Sequence, residues 1–336
     1  MKYRWRKLGY RSTRDLSRDI IQWLPDIPRD IDVVVGVPRS GILPATLLAL
    51  HMHKPLASID QYVNGGGMQA GRRLEGSKAS SINDPDTSAF VLDDCVRTGR
   101  AMREAQSLIE SSDLEGNVYY GTVYVTPHST SLVDYYYEVL PEPRVWEWNI
   151  MNHSVLSSAC VDIDGVLCRD PTEEEDEDES AYREFLRTAE TRFTPKVPIQ
   201  CLVTNRLEKY RALTEQWLDQ HDIEYERLIM EDFPSKDAQR EANHYVKHKV
   251  DAYLDSDSDL FVESEQWQAI GIARKAAKPV YCVSTGEMVR PDTPSSELRQ
   301  TSRNWWKLVK RTLEVARQEP LSIPKRAYHV MKSNYS

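Results

Sequence analysis

Hydrophobic positions fall into short apolar runs of strand length, separated by stretches where apolar residues recur every three or four positions. Across residues 10–29, Leu16, Ile20, Ile21, Trp23 and Leu24 predict an amphipathic helix that Pro25 and Pro28 stop. Residues 31–37 are rich in β-branched side chains and predict a buried strand, followed by Pro38-Arg39-Ser40-Gly41 and a helical run over 42–50. Alternation over 56–63 predicts another strand. Phe90-Val91-Leu92 then runs into Asp93-Asp94, and Ala101, Met102, Ala105, Leu108 and Ile109 mark the next helix. Residues 117–125 predict a further strand and lead to an aromatic segment at 144–149. In the second half, strands are predicted at 158–161, 199–203, 260–263 and 279–283, with a helix carrying Ala269, Ile270, Ile272 and Ala273 between the last two. Near the end, Trp305, Trp306, Leu308, Val309, Leu313 and Ala316 lie at helical spacing, on the expected surface for packing against the body or a second subunit. Strands alternating with helices place the chain in the α/β class.

The length of 336 residues is that of two domains, and 40% hydrophobic with 28% charged residues is an ordinary globular composition. A formal charge of −9 argues against general nucleic-acid binding, so anionic substrates must be held by local sites. Cys95, Cys160, Cys168, Cys201 and Cys282 contain no C-x-x-C pair and are read as reduced thiols in a cytoplasm. Met1 to Lys7 is basic, but no apolar signal region comes after it, and no run of about 18 apolar residues occurs to span a membrane. The acidic run 170–179 is read as a solvated, mobile loop.

Two stretches in the first half carry the chemistry of anion binding. A buried strand ending in Asp93-Asp94, then Arg97-Thr98-Gly99 at a helix start, offers backbone N–H groups and the positive end of a helix dipole to a phosphate. Pro38-Arg39-Ser40-Gly41 is a second cradle between strand and helix, about 55 residues earlier. Together they resemble the type I phosphoribosyltransferase family, which binds phosphoribosyl pyrophosphate (PRPP). The resemblance implies that Asp93 and Asp94 hold the ribose hydroxyls, Arg97, Thr98 and Gly99 the 5-phosphate, and Arg39, Ser40 and Gly41 the pyrophosphate. Ala101 departs from the second Thr or Ser that many members carry. The glycine-rich stretch from Asn64, with Arg72 and Arg73 at its far end, is similar to the flexible loop that closes over PRPP. Trp146 or Trp148 would stack on the acceptor base, or pack against the second domain.

In the second half, Asp162-Ile163-Asp164-Gly165-Val166-Leu167 puts two carboxylates on one side of an extended backbone before a tight turn. It resembles motif I of the haloacid dehalogenase (HAD) superfamily. That resemblance implies a nucleophile at Asp162, a general acid/base at Asp164, phosphoryl binding by Thr204 with Arg206 beside it, and a charge-offsetting lysine. Lys249 is chosen for the lysine, with Lys236 as the alternative. Metal ligands would be Asp162, Asp164 and a later acid, for which Glu263 is preferred to Asp255 because one helix then separates its strand from the next.

These readings amount to two doubly wound parallel-sheet domains with a helical extension: residues 1–150 binding PRPP, 151–290 a phosphatase-like domain with a minimal cap, and 291–336 a basic helical segment. The implied activities are Mg²⁺-dependent transfer of ribose 5-phosphate from PRPP to a small base-like acceptor, and hydrolysis of a phosphomonoester through an aspartyl-phosphate, with nucleotide converted to nucleoside if the two act in sequence. The alternatives are a PRPP sensor that regulates a phosphatase, and a HAD-like domain that serves only as scaffold. A homodimer is compatible with each.

Overall fold

The computed structural model describes residues 8–64, 87–112, 114, 116–177, 179–242 and 244–294. Two compact units divide the chain, Met1–Trp148 and Asn149–Ser336.

The first unit runs β1 (Gly9–Arg11), α1 (Thr13–Trp23), β2 (Val33–Gly36), α2 (Ile42–Met52), β3 (Leu56–Ser58), α3 (Ile59–Val63), β4 (Ala89–Val96), α4 (Arg100–Glu110), β5 (Val118–Val125), β6 (Tyr135–Val139) and β7 (Arg144–Trp146). Five strands form a parallel sheet in the order β3-β2-β4-β5-β6, and β1 pairs with β7 in a separate parallel ribbon. Because β2 and the first half of β4 are buried on both faces, Val33–Val35 and Ala89, Phe90, Val91 and Leu92 are apolar without alternation. Phe90 and Leu92 enter the cluster with Leu16, Ile20 and Trp23 of α1, while Ala89 and Val91 enter the opposite cluster with Met102 and Ile109 of α4. The strand order reverses between β2 and β4, the position at which open α/β sheets leave a crevice beyond their C-terminal strand ends.

In the second unit the elements are β8 (Ala159–Val161), α5 (Glu173–Glu177), α6 (Glu179–Thr188), β9 (Ile199–Leu207), α7 (Arg211–Gln220), β10 (Tyr225–Glu231), α8 (Lys236–Ala242), α9 (Tyr245–Asp255), β11 (Leu260–Glu263), α10 (Gln266–Ala276), β12 (Val280–Cys282) and β13 (Glu287–Val289). Its six-stranded sheet has the order β10-β9-β8-β11-β12-β13, parallel except for β13. Here the reversal lies between β8 and β11. Cys160, Phe261, Tyr253 and Ile272 sit in one buried cluster joining the sheet to α9 and α10. No helix among the described residues is long and apolar enough to cross a membrane.

Several local expectations change. The helix expected over 10–29 spans only Thr13–Trp23, because Ser12 and Asp15 form a reciprocal cap that starts it and residues Gly9–Arg11 are drawn into pairing with β7. The strand expected over 56–63 stops at Ser58, whose hydroxyl accepts from Gln61 N at 3.3 Å while Gln61 Oε1 accepts from Ser58 N at 2.9 Å. That capping box starts α3, and Ile59 and Tyr62 bury along one helical face instead. Leu108, expected on the buried face of α4, is exposed. β6 escaped the sequence reading because its Tyr-Tyr-Tyr-Glu-Val run is an edge strand with no buried position, half-buried at Tyr135, Tyr137 and Glu138 and exposed at Tyr136 and Val139. The acidic run is helical over Glu173–Glu177 and not a loop: Glu173 and Glu174 are exposed as expected, but Glu175 takes two bonds from Arg169 at 2.7 and 2.6 Å, and Asp176 holds Lys236 and Arg240.

Candidate active sites

At the reversal of the first sheet, the loop after β2 meets the end of β4. Val37 N donates to Leu92 O at 2.9 Å, and the peptide joining Pro38 to Arg39 is cis. Gly41 is packed so closely that a Cβ would lie 2.6 Å from Val37 O, 2.7 Å from Leu92 O and 3.0 Å from Asp93 Cα. This glycine therefore lets the loop approach β4 itself. The Ser40 hydroxyl donates to Asp94 Oδ1 at 2.8 Å, so that side chain faces the carboxylate, while Arg39 is exposed. Asp93 and Asp94 are 7% and 4% exposed, and Asp94 N donates to Asp93 Oδ1 at 2.9 Å. Burial, then the Asp94 charge, push the Asp93 carboxyl up to about 8.

Beyond the acids, Arg97 and Thr98 are exposed and Gly99 has φ +71°, a left-handed conformation in which a side chain would also collide with Leu132. The Arg97 carbonyl accepts from Thr126 Oγ1 at 3.2 Å and from the Ser129 hydroxyl, and Arg103 Nη2 donates to Thr98 O at 2.9 Å. These bonds hold the loop at the N-terminus of α4, whose first-turn amides suit an anion. Arg97 pairs with Glu142 at 3.3 Å and Arg100 with Glu104 at 2.8 Å, both on the surface. Arg72 and Arg73 lie outside the described residues, as does the helix expected around Trp305.

Trp146 is 5% exposed and stacks on Tyr124 at 5.0 Å and on Trp148 at 5.4 Å. Its burial in the first unit's core leaves it no open face for a base. Trp148 is half-buried and donates its indole N–H to Asp94 Oδ2 at 2.9 Å, a contact that sequence alone does not reveal.

At the reversal of the second sheet, Asp162 comes directly after β8 and Glu263 ends β11. Lys249 Nζ on α9 donates to Asp162 Oδ2 at 2.6 Å and to Glu263 Oε2 at 2.7 Å, and both Lys249 and Glu263 are wholly buried. Burial pushes the Asp162 carboxyl up, the Lys249 ammonium pulls against it, and Glu263 adds to the rise. Lys249 is itself shifted upward, because its two carboxylates outweigh its burial. The Ser264 and Glu265 amides donate to Glu263 Oε1 at 2.8 and 3.0 Å. Thr204 is buried on β9, and its hydroxyl accepts from Arg206 N at 3.2 Å. The guanidinium of Arg206 grips the Asp164 carboxylate, with Nη2 at 2.6 Å from Oδ1 and Nε at 3.1 Å from Oδ2. Lys236 is turned to Asp176 and lies 3.2 Å from the Tyr182 ring centre, and Asp255 is exposed at the end of α9. So the structure brings Asp162, Lys249 and Glu263 together and leaves Lys236 and Asp255 outside that contact.

Residues 7–157 match the family model described as the phosphoribosyl transferase domain. The first unit's sheet and its two loops at the β2/β4 reversal lie inside that match, which leaves residues 158–336 outside it. The xanthine-guanine-hypoxanthine phosphoribosyltransferase of Helicobacter pylori is similar at 14% identity and a TM-score of 0.32, covering 42% of this chain and 92% of its own. A purine phosphoribosyltransferase from Pyrococcus horikoshii is similar at 16% identity and a TM-score of 0.32, covering 42% of this chain and 93% of its own. A chain of the Pnkp1/Rnl/Hen1 complex is similar at 13% identity and a TM-score of 0.24, covering 82% of this chain and 95% of its own. No curated protein matches the sequence.

A Mg²⁺ ion is compatible with the donor chemistry of the second unit. The phosphoribosyl transferase domain match and the HAD resemblance imply such an ion, and no group of three or more His, Cys, Asp or Glu among the described residues could hold a metal. Mg²⁺, however, is commonly held by one or two carboxylates with water and substrate phosphate completing its shell. Asp162 and Glu263 converge on one ammonium and supply such a pair of oxygen donors.

Proposed function

We propose that the first unit binds PRPP and passes its ribose 5-phosphate to a base-like acceptor, and that the second unit hydrolyses a phosphate monoester. The observation that supports the first step is the meeting of two anion-binding loops at one strand-order reversal, with Ser40 bonded to Asp94 across them. A sugar carrying phosphate at one end and pyrophosphate at the other needs two such cradles beside hydrogen-bond acceptors for its hydroxyls. The exposed Arg39 meets the pyrophosphate. The start of α4 and the Arg97–Thr98–Gly99 backbone meet the 5-phosphate. The acceptor nitrogen then bonds to the anomeric carbon, and pyrophosphate leaves with the electron pair of the broken C–O bond.

The second reading is supported by the buried Asp162–Lys249–Glu263 cluster. Lys249 compensates charge that neither carboxylate could carry alone in that site. An Asp162 oxygen attacks phosphorus, and Asp164 gives a proton to the departing alcohol. Asp164 then takes a proton from water, which attacks the aspartyl-phosphate and releases phosphate. Arg206 fixes the orientation of Asp164, and the Thr204 hydroxyl hydrogen-bonds the phosphoryl oxygens. A Mg²⁺ ion held by Asp162 and Glu263, with Asp164 beside them, would supply further neutralisation of phosphoryl charge.

The product of the first reaction carries a 5′-phosphate, which is a chemically suitable substrate for the second. The test supplies purified protein with PRPP, Mg²⁺ and a panel of bases, and measures pyrophosphate, phosphate, nucleotide and nucleoside separately. Wild type should accumulate nucleoside and Asp162→Asn the nucleotide. Wild type stopping at nucleotide rules out the sequence of reactions; absence of pyrophosphate release with every base rules out the transfer.

A further inference from the structure

We propose that Trp148 is a displaceable plug on the sugar-hydroxyl site of the first unit. A phosphorylated sugar with vicinal hydroxyls would then exchange the Trp148 indole N–H on Asp94 for one of its own hydroxyls. The inference rests on reading Asp93 and Asp94 as the sugar-binding acids.

Asp94 is 4% exposed, and its two oxygens already face protein donors, Ser40 Oγ at 2.8 Å and Trp148 Nε1 at 2.9 Å. So little surface remains that a sugar hydroxyl reaches this carboxylate only where a donor withdraws. The two donors are held differently. Ser40 belongs to the loop that Gly41 locks against β4, where backbone atoms would lie within 3.0 Å of an added Cβ. Trp148 lies two residues beyond the end of β7, is half-buried, and contacts Trp146 by stacking at an interplanar angle of 9°. A stacked ring can slide without breaking a backbone ladder, whereas the loop of Ser40 cannot withdraw without opening the end of β4. Trp148 is thus the donor that yields.

PRPP binding is titrated calorimetrically with Mg²⁺ present, using wild type, Trp148→Phe and Ser40→Ala, with urea unfolding as the control for folding. Trp148→Phe keeps an aromatic ring on Trp146 and removes only the N–H, and should tighten PRPP binding roughly ten- to a hundred-fold, the scale of one hydrogen bond to a charged group. Ser40→Ala leaves the plug in place and should bring no gain. In wild type, PRPP should change the tryptophan emission assigned to Trp148 by difference from Trp148→Phe. Equal or weaker binding by Trp148→Phe, a matching gain in Ser40→Ala, or binding with no change in that emission would each overturn the plug. Tighter binding by Trp148→Phe without pyrophosphate release upholds the plug and refutes transfer alone. Absence of PRPP binding in all three proteins overturns the sugar site and the plug together.

Discussion

Replacing Lys249 by Met tests the central contact of the second unit. The methionine nearly matches the aliphatic stem, so little packing is lost and the perturbation is chiefly the ammonium. Two carboxylates, at 5% and 0% exposure, then face each other without the cation now 2.6 and 2.7 Å from them. Breaking a buried ion pair from one side costs about 3–5 kcal/mol, because the charge left behind has neither water nor partner. The Asp162 carboxyl responds by binding a proton: burial already pushes it above the unfolded carboxylate range near ~4, and with the ammonium gone nothing pulls against that rise. The destabilisation is therefore present above that range and is relieved as pH falls toward it. Urea unfolding of the second unit, monitored at pH 7 and pH 5, should show the Lys249→Met loss shrinking at the lower pH. Adding Asp162→Asn and Glu263→Gln to Lys249→Met should recover most of it at pH 7. A loss below about 1 kcal/mol, the range of a surface pair, would refute the reasoning, as would a loss that the two amides leave untouched.

Asp162→Asn should reduce phosphate release from a model monoester by several powers of ten while PRPP binding is unchanged, and a residual activity above about a hundredth would argue against a covalent intermediate. Glu263→Gln should lower Mg²⁺-dependent phosphatase activity more than Asp255→Asn, since Glu263 is buried on Lys249 and Asp255 is exposed; the opposite ranking would move the metal site. Gly41→Ala should destabilise the first unit by about 2 kcal/mol or more and weaken PRPP binding, because the atoms meeting its Cβ are backbone and cannot swing aside; unchanged urea unfolding would show that the loop yields freely. Because the Asp93 carboxyl is pushed up to about 8 in the fold, the wild type should lose stability relative to Asp93→Asn as pH rises from about 4 to 8, then level off. A pH-independent difference between the two would contradict the buried acid pair.

Much of both candidate sites was legible along the chain because the relevant chemistry is local there. Asp93-Asp94 and Asp162-x-Asp164-Gly165 each come after an apolar run, and a run of that length buried on both faces can only deliver the next residues to a strand end. Preferring Glu263 over Asp255 came from counting elements, one helix between its strand and the next; in the fold the segment of Asp255 is not a strand but the end of a helix. Local hydrogen bonds defeated periodicity where they were stronger: alternation over 56–63 suggested a strand until the Ser58–Gln61 box turned the chain into α3. The partners of the acids were beyond the reach of sequence. Lys249 is 87 residues from Asp162, Arg206 is 42 from Asp164, and Trp148 is 54 from Asp94. Spacing carries no signal at such separations: Lys249 was preferred to Lys236 only because it stands just before the chosen Glu263, and the fold turns Lys249 toward Asp162 and Lys236 toward Asp176. The sequence by itself determined the central buried strands and where acids stand on them, because backbone preference and burial act within a few residues. Which side chains answer those acids was decided only by tertiary structure, because a buried charge is satisfied by whatever the order of strands brings within about 3 Å.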